Sequence, residues 1–146
     1  MWNEGYTSEI NYTSGYYSEL SPTRIRLALL ACGVDHSVPD NPDYLELGFG
    51  QGLSLNINAA TSSGRFFGTD FNPGQVANAR ELASAMGKPL TLLEDSFEEL
   101  AQRSDLPAFD IIALHGIWSW INDGARAAII EIARKLLKPG GALYIS

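Results

Sequence analysis

The chain has 146 residues, 45% of them hydrophobic, which suits one domain with one ordinary core. Ten basic against seventeen acidic residues leave a formal charge of -7, which repels phosphate backbones and anionic bilayers and argues against nucleic-acid or membrane partners. Cys32 is the single cysteine, so no intrachain disulfide can form, and neither His36 nor His115 has a second ligand at metal spacing, so no metal is expected.

The N-terminus, MWNEGYTSEI, lacks the basic and apolar regions of a secretion signal, and no stretch approaches about 20 apolar residues, so a cytoplasmic protein is expected. Across the first twenty residues Trp2, Tyr6, Tyr12, Tyr16 and Tyr17 alternate with Ser, Thr, Asn and Gly. Aromatics at that density argue for docking onto another surface. Ser21-Pro22 then reads as a cap with proline at the first helical position, and RIRLALLACG as a short amphipathic helix ended by Gly33. Cys32 lies on its apolar side and is expected to be buried and inert. A turn-rich segment, DHSVPDNPD, follows as a loop in which His36 has no assigned role.

Beyond that loop strands and helices alternate. Tyr44 to Leu47 is a short apolar run, Leu53 to Ala60 a helix, Arg65 to Thr69 a strand, and Gly74 to Met86 a helix stopped by Gly87. Leu90 to Leu93 reads as a strand, Ser96 to Gln102 as a helix with Glu99 three residues after its Ser cap, and Asp110 to Leu114 as a nearly continuous apolar strand. Asp123 to Leu137 is the clearest helix, capped by Asp123, with Arg134, Lys135 and Lys138 near its end and Pro139-Gly140-Gly141 after it. Ala142 to Ile145 begins one more strand. This alternation implies right-handed crossovers and a parallel sheet covered by helices on both faces.

The stretch YLELGFGQGLSL sets Gly48, Gly50 and Gly52 at a strand-to-helix turn, where open α/β folds bind ligands. The spacing Gly-x-Gly-x-Gly is not the Gly-x-Gly-x-x-Gly of dinucleotide sites, and no Gly-Lys-Ser/Thr follows, so pyrophosphate is not the favoured ligand. Asp70 ends the second strand about 20 residues on, where a carboxylate can accept bonds from both ribose hydroxyls. An adenosine-type ligand is therefore expected, with Asp95-Ser96 at the end of the third strand able to meet the amino edge of its adenine. Each residue also has a plainer reading: Asp70 as a helix cap, Asp95 as a helix-start charge, Phe49 and Phe71 as core aromatics, and Glu46 as a surface acid.

At these residues the chain resembles class I S-adenosylmethionine-dependent methyltransferases, whose first motif, Asp/Glu-x-Gly-x-Gly-x-Gly, is filled by Glu46, Gly48, Gly50 and Gly52. Asp70, Asp95, the strand-end HGIW and the turn KPGG fall in order at the later landmarks. More narrowly, GYTSEINYTSGYY, LELGFGQGLSLN, GTDFNP and LHGIWSWI resemble bacterial methyltransferases that carry an additional C-terminal regulatory domain. The resemblance implies a Rossmann-like three-layer αβα fold, sheet order 3-2-1-4-5, with residues 1–38 as an aromatic lid segment and helix and 39–146 as the cofactor-binding core. It implies S-adenosylmethionine as cofactor and S-adenosylhomocysteine as product, with contacts from Glu46, Gly48, Phe49, Gly50, Gly52, Asp70, Phe71, Asp95, Ser96 and His115. Tyr6, Tyr12, Tyr16 and Tyr17 are expected as a lid over the cofactor cleft, or else as packing for one hydrophobic face or a partly disordered segment, and Trp118 is expected on the acceptor side.

His115 is also the candidate general base, although methyl transfer from a sulfonium does not require one. Trp118 and Trp120 form either an aromatic wall or an anchor for the next helix. The methyl acceptor, a small molecule or a protein, is not specified, and the absence of an Asn/Asp-Pro-Pro-aromatic signature argues against nucleic-acid amines. The family sheet has sixth and seventh strands beyond the last residue here, so a truncated domain, a longer parent with a C-terminal domain, and self-association through an exposed fifth strand are expected. Two alternatives are a non-catalytic module that binds the same cofactor and a nicotinamide-dependent oxidoreductase.

Overall fold

The computed structural model describes residues 15–146. After a 3-10 turn at Ser18–Leu20, its elements are α1 (Pro22–Ala31), β1 (Asp43–Leu47), α2 (Leu53–Thr61), β2 (Arg65–Thr69), α3 (Pro73–Met86), β3 (Thr91–Leu93), α4 (Phe97–Gln102), β4 (Phe109–Leu114), α5 (Asp123–Leu136) and β5 (Leu137–Ile145). The five strands form one parallel sheet in the order β3-β2-β1-β4-β5, as expected.

The period of two along the central strands builds both cores. Tyr44 of β1 with Ile111 and Ala113 of β4 face a cluster that includes Leu20, Ile25, Leu55 and Val76. Leu45 and Leu47 with Ile112 and Leu114 face the other cluster, completed by α4 and α5 through Leu100, Ile129 and Ile132. All six residues of β4 are buried, as a central parallel strand requires. The segment before β1 belongs to the same packing: Tyr44 donates its hydroxyl to Leu20 O at 2.9 Å.

Two details differ from the sequence reading. Asn122, not Asp123, caps α5: its side chain accepts the Ala125 N–H at 2.8 Å, and Asp123 becomes the first helical residue, where its charge still faces the positive end of the helix dipole. β5 starts at Leu137 rather than Ala142, because Leu137 pairs with Phe109 before the register shifts and resumes at Ile111 with Ala142. Pro139-Gly140 is thus a bulge inside the strand, with Gly140 at φ 75° and its carbonyl accepting the Ser37 N–H at 2.9 Å. Among the described residues no helix is long and apolar enough to cross a membrane.

Candidate functional site

The crossovers leave β1 and β4 in opposite directions, so a crevice opens beyond their carboxyl ends. The glycine turn forms its floor. Gly48 lies at φ 68°, and a Cβ there would come within 2.6 Å of Ile117 Cδ1, on the loop after β4. Gly52 lies at φ 75°, and its Cβ would meet Ala79 Cβ of α3 at 2.5 Å. The first glycine keeps the crevice open and the last lets α2 pack against α3.

The N–H groups of the glycines and of Phe49 are engaged within the protein. Gly48 N and Phe49 N donate to Thr69 O at 2.8 and 3.3 Å, Gly50 N to Asp70 Oδ2 at 2.9 Å, and Gly52 N to Phe49 O at 3.0 Å. Asp70, buried at the end of β2, also accepts the Asn72 N–H on Oδ1 at 3.0 Å. Burial pushes its pKa up to about 6, opposed by the Asn72 and Gly50 donors. Asp70 does not cap α3; Asn72 does, accepting the Gly74 N–H.

Glu46 is 4% exposed, and its Oε2 has no hydrogen-bond partner among the described residues. Burial first, and then the neighbouring Asp70 charge, push its pKa up to about 8. Glu46 is therefore not the surface acid of the plainer reading. A buried carboxylate oxygen left open is costly unless a cation or donor completes it.

Two compartments share the floor of Gly48 and Gly50 and the edge of Gly116, Ile117 and Trp120. The first is a mostly apolar slot walled by Phe71, Phe97, Ile117 and Ile121, with Asp70 and Asp95 at its edges. Asp95 is fixed at both ends: its carbonyl accepts the Thr69 hydroxyl at 2.7 Å, and its Oδ2 accepts Arg103 Nη1 at 2.9 Å. Ser96 lines the slot too, but its N–H and Oγ are engaged with Glu99 in the capping box that the Ser96/Glu99 spacing predicts. The second compartment is a chamber bounded by Tyr17, Glu46, Phe49, Ser54 and His115. His115 stacks on Tyr17 with ring centres 4.3 Å apart, its Nδ1 lies 2.9 Å from Ser146 Oγ, and Glu19 Oε1 is 4.0 Å away.

Glu46, Gly48, Phe49, Gly50, Gly52, Asp70, Phe71, Asp95, Ser96 and His115 thus all border one continuous crevice. The placements of Trp118, Tyr16 and Cys32 differ from expectation. Trp118 packs toward the α4 and α5 core beneath the Arg126 guanidinium, which sits 5.8 Å from its ring centre, and Trp120 borders both compartments instead. Tyr16 is 47% exposed and borders neither compartment, whereas Tyr17 faces the chamber because Ser54 Oγ of α2 accepts its N–H at 2.9 Å. Cys32 is exposed, because the helix end carrying it is not covered. Tyr6 and Tyr12 lie outside the described residues.

Phe97 and Ile121, which wall the slot, and Thr69, which ties Asp95, are positions of the crevice that the sequence did not single out. A hydrophobic residue after a cap and a threonine ending a strand both look like ordinary structure.

A family model described as "Methyltransferase domain" matches residues 45–141. Uncharacterized protein sll1526 of Synechocystis is 45% identical over 148 residues, covering 99% of this chain and 29% of that protein. Uncharacterized protein RP028 of Rickettsia prowazekii is 26% identical over 140 residues, covering 94% of this chain and 55% of that protein. Among solved structures, PKMT2 from Rickettsia typhi in complex with AdoHcy superposes with a TM-score of 0.79 at 23% identity, over 90% of this chain and 25% of that one. A SAM-dependent methyltransferase from Geobacter sulfurreducens in complex with S-adenosyl-L-homocysteine gives 0.63 at 25% identity, over 93% of this chain and 50% of that one. The chain therefore spans roughly a quarter to a half of the length of most of these relatives.

Proposed function

Since the chain belongs to the methyltransferase-domain family, we propose that it binds S-adenosylmethionine and moves the sulfonium methyl group to a small-molecule or protein acceptor. One observation carries this reading. Glu46, at the foot of the glycine turn, offers a buried, unpartnered acceptor. An ammonium group needs such an acceptor, whereas a pyrophosphate placed beside it would meet like charge. No Lys or Arg borders either compartment among the described residues, which disfavours a nicotinamide dinucleotide further. The residues fit the adenosyl cofactor.

In this arrangement Glu46 holds the ammonium group, Asp70 accepts from the ribose hydroxyls, and the slot takes the adenine, with Asp95 at its edge. When bound, S-adenosylmethionine supplies an already electrophilic methyl carbon, so the protein's task is mainly alignment. Tyr17, His115 and Trp120 border the chamber where the acceptor enters. His115 can take a proton from an acceptor that must lose one, but the transfer itself does not demand it.

We assign the chain to a bacterial, cytoplasmic protein longer than itself; the Synechocystis and Rickettsia relatives support the bacterial source and the greater length, and the described helices, none long and apolar enough to cross a membrane, fit the location. The C-terminal regulatory domain and contacts along the outer edge of β5, where Leu143 and Ile145 are 40% and 43% exposed, belong to the same proposal. The charge of -7 favours acceptors other than nucleic acids or membranes.

The test is calorimetric titration of the chain with S-adenosylmethionine and S-adenosylhomocysteine, with NAD as control and an Asp70→Ala variant alongside. Saturable binding of the adenosyl ligands that the variant loses supports the reading. Binding of NAD in preference to both overturns it.

A further inference from the structure

The tie between Asp95 and Arg103 has no place in the motifs, yet it fixes the one acidic side chain at the far edge of the apolar slot. Thr69, fully buried, holds the Asp95 backbone, but a carboxylate on two freely rotating bonds would still turn toward water. Arg103, at the C-terminal end of α4, prevents this by donating Nη1 to Oδ2. The remaining oxygen, Oδ1, carries no hydrogen bond among the described residues.

Arg103 is itself held rigidly. Its Nε and Nη2 grip both oxygens of Asp105 at 2.9 and 2.7 Å, and Lys135 of α5 donates to its carbonyl. A guanidinium with one edge on Asp105 presents a single prong to Asp95, and its planar fork sets the direction of that prong. The neighbouring Ser96 N–H cannot compete for the ligand, because Glu99 Oε2 accepts it at 2.8 Å. Beside the fixed carboxylate, the Ser96 N–H is therefore not offered to the ligand.

We propose that Arg103 is a positioning residue that orients Asp95 so that the site selects a 6-amino purine over a 6-oxo purine. This rests on the adenosyl-cofactor reading of the crevice. A 6-amino group donates to the fixed carboxylate oxygen. A 6-oxo group in its place sets two acceptors against each other, and one unpaired buried acceptor discriminates strongly. Without Arg103 the carboxylate can swing aside, and both the gain and the penalty fall.

The experiment compares dissociation constants for S-adenosylhomocysteine and S-inosylhomocysteine in the wild-type chain, Arg103→Met, Arg103→Lys and Asp105→Asn, with melting curves for each. The expected result is roughly tenfold weaker adenosyl binding in Arg103→Met, little change in inosyl binding, and so a collapsed ratio. Arg103→Lys should restore part of the ratio, and Asp105→Asn, which loosens the grip on Arg103 but leaves its Asp95 contact in place, should lower the ratio less than Arg103→Met does. An Arg103→Met ratio equal to wild type overturns the proposal, even if both affinities fall. If that variant does not fold, an unchanged ratio in Arg103→Lys overturns it equally. A wild-type chain that binds neither ligand defeats the adenosyl reading first, and the proposal with it; wild-type binding with unchanged ratios defeats the role of Arg103 alone.

Discussion

Gly50 donates its backbone N–H to Asp70 Oδ2 at 2.9 Å, so the turn after β1 and the carboxylate at the end of β2 are one unit. Asp70 also holds the Asn72 N–H at the start of α3. Replacing it by alanine removes the proposed ribose acceptor and leaves two donors unpaired beside the crevice. Hydrogen bonds to charged groups contribute about 1.5–3 kcal/mol, so Asp70→Ala should weaken S-adenosylhomocysteine binding by at least roughly tenfold and lower the melting temperature. Asp70→Asn, which retains an acceptor, should lose less of both. Calorimetry and thermal melts on the same preparations would check this; equal binding by wild type and Asp70→Ala would contradict it.

Glu46 makes the empty site pH-sensitive, and the sign follows from its raised pKa. Burial, and then Asp70, lift it from 4.5 to about 8, so the folded chain holds this proton more tightly than the unfolded chain. The associated stability is fully present below about pH 4.5, falls as pH rises through the window, and is gone above about pH 8. Asp70, raised to about 6, adds to the loss over the lower part of that range. Glu46→Gln lacks the Glu46 contribution. Its melting temperature relative to wild type should therefore increase from pH 5 to about 8 and level off above it, corresponding to a few kcal/mol at the upper end. The same variant should bind S-adenosylmethionine more weakly, because a neutral amide replaces the proposed ammonium partner. A difference between the two melting curves that stays flat with pH would rule out a buried, titrating Glu46.

The glycines at the two ends of the turn should fail in different ways. At Gly52 an alanine faces φ 75° and Ala79 Cβ at 2.5 Å, with Ala79 Cα at 3.3 Å behind it, so α2 must move off α3. Positive φ and overpacking each cost about 1–3 kcal/mol, and Gly52→Ala should primarily lose stability. At Gly48 the obstruction is Ile117 Cδ1, the end of a flexible side chain that borders both compartments. Gly48→Ala should primarily lose cofactor affinity as Ile117 is pushed into the crevice. The double variant Gly48→Ala/Ile117→Ala should recover part of that affinity, and no recovery would mean that backbone strain at Gly48 dominates.

The strand order and the floor of the crevice were legible because short apolar runs, caps and glycines act locally. Asp70, for example, must end β2 once RFFGT is read as a strand. What was not legible depends on rotation about a strand or loop. Trp118 and Trp120 are two apart, and only the turn closed by Trp120 N to Ile117 O decides which one reaches the crevice. Tyr16 and Tyr17 are adjacent, and the choice between them is made by Ser54, 37 residues away from Tyr17. The open oxygen of Glu46 and the engaged N–H groups of Gly48, Phe49 and Gly50 are likewise tertiary facts. The open Glu46 oxygen favours a cation over a pyrophosphate more directly than glycine spacing does.

At the opposite rim of the sheet, charge serves the fold alone. Lys138 Nζ bridges Asp43 Oδ2 at 2.9 Å and Asp110 Oδ2 at 3.0 Å, while Asp43 N donates to the same Asp110 oxygen at 2.8 Å. This ties the start of β1 and the second residue of β4 to the beginning of β5. Arg65, hydrogen-bonded to Asp43, and Lys138 hold the Asp43 carboxyl below its usual pKa against the opposing effect of burial. A depressed acid contributes stability above its unfolded pKa and loses it as pH falls through the folded value. Lys138→Met should therefore cost about 1–2 kcal/mol at neutral pH by leaving two poorly exposed carboxylates facing each other, and less as pH falls through the lowered pKa of Asp43. Because the network lies at the amino ends of the strands, the affinity for S-adenosylhomocysteine should stay within about twofold of wild type wherever the variant is folded. A loss of binding in the folded variant would show that the two ends of the sheet are energetically coupled.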